Sequence, residues 1–241
     1  MVLTDLQKWK SLKLLHQEKE ANHYKTIQDI HLKWSKLNLY EKTYKNINQK
    51  HNPTNFKKSK NYVLFIDSSN IYNKNGVEKI GYGQNPKKKE SRISAICDEN
   101  KNIQSLVLID TIQKTEIKKT MPHDSKTIEQ SLKDLTKKQI ICKTIQLVGD
   151  KGYTIKKEEK LKLKENFNTE IVYPNKKNQK TRTLKRHKKL LKKRYVIENV
   201  FQQLKKYDRI CMRKDKLECT YMGFLYLATI INFKKSIKEV G

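Results

Sequence analysis

Acidic residues are scarce in this chain of 241 residues, with 25 Asp and Glu against 54 Lys and Arg. The resulting formal net charge of +29 excludes an acidic surface and favours a polyanion as partner, nucleic acid first. Long apolar runs are lacking too. The longest, "MGFLYLATIINF" at 222–233, falls short of the ~20 residues that span a bilayer, and "MVLTDLQKWKSLKLLHQEKE" is too charged for a signal peptide. No membrane partner is expected, and the expected location is intracellular. None of the cysteines, Cys97, Cys142, Cys211 and Cys219, forms a CxxC pair. Each sits in or beside an apolar run, as small buried hydrophobes do, which argues against a zinc site.

What is present suffices for a core: 36% of the residues are hydrophobic, enough for one large domain or one domain with a small appendage. Residues 1–50 carry Trp34, Leu37, Leu39 and Tyr44 at helical spacing, and the polar linker "NQKHNPTNFKKSK" follows, so a small helical amino-terminal segment (1–50) and a linker (51–60) are expected before a domain at 61–241. "NYVLFID" (61–67), "SRISAICD" (91–98) and "NIQSLVLID" (102–110) read as strands, the last two joined as a hairpin. A helix over 123–138, a strand over 144–150, a helix in "TIKKEEKLKLKENF", a strand over 169–174 and helices over about 187–209 and 217–237 complete the pattern. The order is that of a ribonuclease H-like mixed sheet flanked by helices, an α/β fold, although order alone leaves other α/β folds open.

Charge is clustered. Residues 175–194, "NKKNQKTRTLKRHKKLLKKR", hold eleven cations in twenty positions, Lys185, Arg186, Lys188, Lys189, Lys192, Lys193 and Arg194 among them, a density that a bound polyanion screens. Lys87, Lys88 and Arg92 in "GYGQNPKKKESRIS" are a second set suited to backbone phosphates, and a solvated loop is an equal reading. Against this background three carboxylates stand out. "VLFID" ends a strand in Asp67 and "IQLVGD" ends another in Asp150, where open α/β sheets build their sites, though strand-end Asp is also ordinary turn chemistry. "RYVIENVFQQLKK" places Glu198 four positions after Arg194 and seven before Lys205. On one straight helix Leu191, Arg194, Glu198 and Lys205 share a stripe, because seven residues overshoot two turns by about 20°. Surface ion pairs contributing about 0.3 to 0.5 kcal/mol each are the simplest reading of that stripe. If Asp67, Asp150 and Glu198 converge, they need a cation between them. Oxygen donors of this kind select Mg²⁺, with Mn²⁺ as a substitute, and two such ions could activate a water or a 3′-hydroxyl for attack on a phosphodiester. His123 and Asp124 in "MPHDSK" suggest a metal pair, but an Asp before a helix is more often its cap; Tyr153 suits packing beneath the site.

At "FIDSS", "VGDKGY" and "RYVIENVFQQLKKYDRI" the chain resembles the bacterial insertion-sequence DDE transposases, in the large group of families numbered four and five. "TIQDIHLKWSKLNLYEKTYKNI" and "GFLYLATIINF" resemble that group's amino-terminal and final helices. The resemblance implies DNA cleavage and strand transfer on two Mg²⁺ ions, with Asp67, Asp150 and Glu198 as the DDE ligands and Arg194 and Lys205 as phosphate contacts. It implies double-stranded DNA as partner (element ends and target), a homodimer in the DNA complex, no small-molecule substrate, and a place with the DNA in a bacterial cytoplasm or nucleoid, or in a eukaryotic nucleus. Of the signature Y-x2-R-x3-E-x6-K, Arg194, Glu198 and Lys205 match and Leu191 replaces Tyr. The group's amino-terminal region is commonly longer, which leaves open a truncated or alternatively started copy, with a DNA-binding remnant or a nuclease of the same fold as alternatives.

Overall fold

The computed structural model describes residues 24–51, 62–82, 88–113, 119–137, 144–175 and 185–240. The chain divides into two compact units, one of Thr54–Asn70 and Arg92–Phe201, the other of Met1–Pro53, Ile71–Ser91 and Gln202–Gly241. In the second, α1 (Tyr24–Lys36) and α2 (Leu39–His51) are joined through Asn38, whose φ of 53° lies in the left-handed region that Asn tolerates. The two helices bury Tyr40 and Tyr44, whereas Trp34 and Leu37, named with Tyr44 for their helical spacing, are about half exposed.

The first unit holds the sheet that positions the site. β1 (Tyr62–Asn73) begins here and continues past Asn70 into the other unit. After β2 (Gly81–Tyr82) come β3 (Lys89–Cys97) and β4 (Ile103–Leu108), a hairpin whose turn is tied by Asp98, which accepts from the backbone N–H of Asn100 and Asn102 at 2.8 and 2.9 Å. β5 (Ile112–Gln113) and β6 (Lys119–Thr120) form a short antiparallel pair before α3 (Asp124–Lys137). β7 (Ile145–Val148), α4 (Lys157–Phe167) and β8 (Thr169–Val172) follow. The strands stand in the order β4–β3–β1–β7–β8, antiparallel in the hairpin and parallel through β1, β7 and β8. This is the mixed sheet flanked by helices of the ribonuclease H-like arrangement. Leu64, Ile66 and Leu147 of the sheet meet Ile128, Leu132 and Leu135 of α3 in one buried cluster. Each such side chain contributes about 1.5 to 3 kcal/mol by burial, and its spacing along α3 follows the helical repeat that the sequence displays.

Two sequence expectations need correction. The helix expected over about 187–209 is three: α5 (Lys185–Lys192), α6 (Tyr195–Leu204) and α7 (Asp208–Cys211), before β9 (Met212–Arg213) and α8 (Glu218–Val240). Between α5 and α6 the N–H groups of Lys193, Arg194, Val196 and Ile197 bond to carbonyls three residues back, not four. That winding is tighter, near three residues per turn, so the even heptad stripe from Leu191 to Lys205 does not survive. Of the cysteines, Cys97 is buried as expected, but Cys211 is exposed and Cys219 half-buried; Cys142 lies outside the described residues.

Candidate functional site

β1 and β7 run parallel, and their register runs from Tyr62 with Ile145 to Phe65 with Val148. Two residues further along each segment comes an aspartate, Asp67 within β1 and Asp150 just past the end of β7, so the two stand at one level. β1 continues beyond Asp67, which is therefore not its terminal residue; it is the pairing with β7 that stops there. Each carboxylate also does the turn work that the sequence allows. Asp67 accepts from the N–H of Ser68 at 2.8 Å, and Asp150 caps the 3₁₀ turn Lys151–Tyr153 by accepting from the N–H of Gly152 at 2.7 Å.

The segment "VGDKGY" owes its glycines to close approach. A Cβ on Gly149 would lie 2.7 Å from the ring of Tyr153, which is fully buried against the turn. A Cβ on Gly152 would lie 2.5 Å from Oδ2 of Asp124 and 2.9 Å from Oδ1 of Asp150. Asp124, at the first residue of α3, is thus a third carboxylate at the site. Read as a helix cap, it instead turns its side chain inward, and its Oδ1 accepts from the Ser68 hydroxyl and from Nη2 of Arg92. Its sequence neighbour His123 is exposed and reaches only Ser125, so the two do not form a metal pair.

The electrostatics match this crowding. Burial first, and then the negative charges of Asp150 and Asp124, push the Asp67 carboxyl up to about 6 against the opposing Ser68 N–H and Arg194 guanidinium. Tyr153 is pushed upward by burial and by the charges of Asp67 and Asp124, against the nearby Ser68 and Thr127 hydroxyls, neither of which meets its own hydroxyl in good hydrogen-bond geometry. Like charges held together in a partly desolvated place are what a bound cation would relieve.

A family model described as Transposase DDE domain matches residues 58–233. The chain belongs to that family. No curated protein matches the sequence. Membership makes DNA the partner of this transposase domain, and no described helix is long and apolar enough to cross a membrane.

Within the transposase domain, the carboxylates Asp67 and Asp150 are brought together on the sheet, and Glu198 projects from the first turn of α6, half-buried and ion-paired with Arg194 four residues before it. That pair is the plain contact which the spacing offers. The guanidinium serves two carboxylates at once, because its charge also reaches Asp67. Among the described residues no three His, Cys, Asp or Glu side chains stand arranged to hold a metal ion. The donor chemistry of the Asp67–Asp150 pair nonetheless fits a hard divalent cation, being all carboxylate oxygen.

The expected phosphate contacts divide by environment. Lys88, Lys188, Lys189 and Lys192 are exposed, and Lys193 is exposed but paired with Glu99 at 3.0 Å. Lys205 follows the end of α6 and is exposed in the other compact unit. Lys87 and residues 176–184 lie outside the described residues, as do the side chains of Lys185 and Arg186. Arg92 is half-buried, with donors to Ser68, Pro122 and Asp124. Sequence reasoning weighed Asp124 and assigned it to capping; Ser68 it did not single out. The "HDS" stretch before α3 offered a helix cap as its local explanation, and the contact of Asp124 with Ser68 and Arg92 is visible only in the fold.

Proposed function

We propose that this transposase domain cuts and rejoins DNA through a carboxylate triad of Asp67, Asp150 and Glu198 that holds Mg²⁺, with Mn²⁺ as a substitute and two ions in the working site. The observation that carries the reading is the level placement of Asp67 in β1 and Asp150 just past the adjacent parallel β7, with Asp67 held in a field of like charge. Bound divalent cations supply Lewis-acid activation of the attacking oxygen and stabilisation of the leaving one. The chain's own residues do the rest. Asp67 and Asp150 fix the cation position through side chains already braced by the Ser68 and Gly152 N–H groups. Glu198 would complete the set, and its Arg194 partner would then be available to a phosphate oxygen of the DNA beside the cut. The exposed Lys188, Lys189 and Lys192 extend the phosphate contact, joined by Lys205, Lys185, Arg186, Lys193, Lys87 and Lys88. Water attacks first and the freed 3′-hydroxyl second, with no covalent protein intermediate. The elements served belong to the insertion-sequence group of families four and five, and two copies of the chain join the two element ends.

A binding-only reading draws support from the Arg194–Glu198 ion pair, which leaves the third ligand engaged. One experiment separates the two: strand transfer from a pre-cleaved donor duplex in Mg²⁺, with wild type and Asp150→Asn. The expected result is joined product for wild type and none for the variant at equal DNA binding. Comparable product from the variant, or none from either protein, overturns the proposal.

A further inference from the structure

Arg92 spends its donors inward. Its Nε donates to the Ser68 hydroxyl at 3.0 Å, Nη1 to the carbonyl of Pro122 and Nη2 to Oδ1 of Asp124, while the Ser68 hydroxyl donates to that same Oδ1. One oxygen of Asp124 is therefore pinned by two donors. The other, Oδ2, faces the point beside Gly152 that Oδ1 of Asp150 also faces, at 2.5 and 2.9 Å from where a Cβ would stand. Beneath them the Tyr153 hydroxyl is fully buried beside Ser68 and Thr127, close to both but with neither in good hydrogen-bond geometry. A pinned carboxylate with its other oxygen turned toward a second carboxylate, over a buried hydroxyl held in poor hydrogen-bond geometry, is an arrangement awaiting a partner.

We propose that Asp124 is a fourth carboxylate of the metal site and that Arg92 is its positioning residue, not a phosphate contact. This rests on the reading of Asp67 and Asp150 as metal ligands. Mg²⁺ dehydrates reluctantly and keeps several waters, so a cation held by those two presents water protons to its surroundings. Oδ2 of Asp124 is the acceptor for them, and outer acceptors of this kind fix the geometry of the inner ligands. Arg92 and Ser68 act through Asp124 by holding its rotamer, and neither touches the reacting atoms.

The test measures Mn²⁺ binding to the full chain by the electron-spin-resonance signal of free Mn²⁺, alongside DNA affinity in EDTA. Asp124→Asn should weaken Mn²⁺ binding about 10- to 100-fold, the range known for outer-shell acceptors, with DNA affinity unchanged. Arg92→Gln should do the same to a lesser extent, Arg92→Lys should recover part of it, and the double variant should be no worse than Asp124→Asn alone, since both act through one group. Normal Mn²⁺ binding by Asp124→Asn overturns the inference, as does an Arg92→Gln variant that loses DNA affinity but keeps Mn²⁺. Asp67→Asn, run in parallel, marks the underlying reading: if it too binds Mn²⁺ normally, the metal site itself is misassigned. Should Asp124→Asn fail to fold, Gly152→Ala, which sets a methyl beside Oδ2, carries the same expectation, and unchanged Mn²⁺ binding there is equally fatal.

Discussion

In the unit of Met1–Pro53, Ile71–Ser91 and Gln202–Gly241, the buried carboxylate of Asp215 meets Arg209 at 3.0 Å and lies in the fields of Arg213 and Lys214, whereas in the other unit the carboxylate of Asp67 has Asp150 and Asp124 for neighbours and Arg194 as its cation. Burial pushes both carboxyls upward, so desolvation does not distinguish them. The sign of the surroundings does. Around Asp215 the charges are matched within the chain: Arg209 also lies over the Phe224 ring at 4.7 Å, and Arg213 donates to the carbonyls of Asp215, Glu78 and Lys216. Around Asp67 the chain leaves negative charge in excess. A buried charge matched by its counter-ions is architecture, and one among like charges is what the proposed cation would relieve.

The sharpest way to break this contrast is to neutralise each side in turn. Asp67→Asn, Asp150→Asn and Glu198→Gln should each lower Mg²⁺-dependent cleavage by at least about 10³-fold, near 4 kcal/mol of barrier. Combining two should cost little more, because one loss already empties a shared site. Additive losses in single-turnover cleavage would mean three separate roles. On the matched side, Arg209→Met strands Asp215 without its cation and should cost about 3 to 5 kcal/mol in urea unfolding. A neutral result there would erase the distinction between the units.

Acid provides a finer test. Burial drives His31 down to about 4, helped by the charge of Arg209 and opposed by its bond to the Thr220 carbonyl. With the folded value below the unfolded 6.5, the unfolded chain binds more protons between those limits. Stability from this group is therefore complete above about 6.5 and drains as pH falls toward 4, by up to about 3 kcal/mol. Urea midpoints from pH 4 to 7 should show that slope in wild type and a flatter one in His31→Gln. For Asp67 the sign reverses. Its folded value near 6 exceeds the ordinary 3.8, so the folded state binds the extra proton, and stability is present below about 4 and lost as pH rises through about 6. In metal-free protein at pH 8, Asp67→Asn should gain about 1 to 2 kcal/mol, discounted for partial exposure, and gain nothing at pH 4. Added Mg²⁺ should stabilise wild type and not the variant in thermal melts.

Much of the sheet was legible because its signals are local. Asp67 and Asp150 close apolar runs whose pairing puts them together, and α3 shows its buried face in the spacing of Ile128, Leu132 and Leu135. The helix break at Lys193 and Arg194 was not legible, since the apolar positions from Leu190 to Leu204 keep helical spacing across it, and a change from four-residue to three-residue bonds leaves no mark in composition. The bond between Arg92 and Asp124 was not legible for a related reason. A cap and a basic loop each explained one of them locally, and the bond between them spans residues 92 and 124, a distance only the fold can close.

The chain passes from one unit to the other four times, near residues 53, 70, 91 and 201. No single cut yields either unit intact: a fragment ending at residue 91 has α1 and α2 but lacks α8, and one starting at residue 92 has Asp124, Asp150 and Glu198 but lacks Asp67. For gene exchange, this makes residues 24 to 240 one inheritable block. Shuffling a contiguous half from a relative replaces pieces of both units together, so new DNA specificity is better sought by grafting short surface segments than by swapping domains.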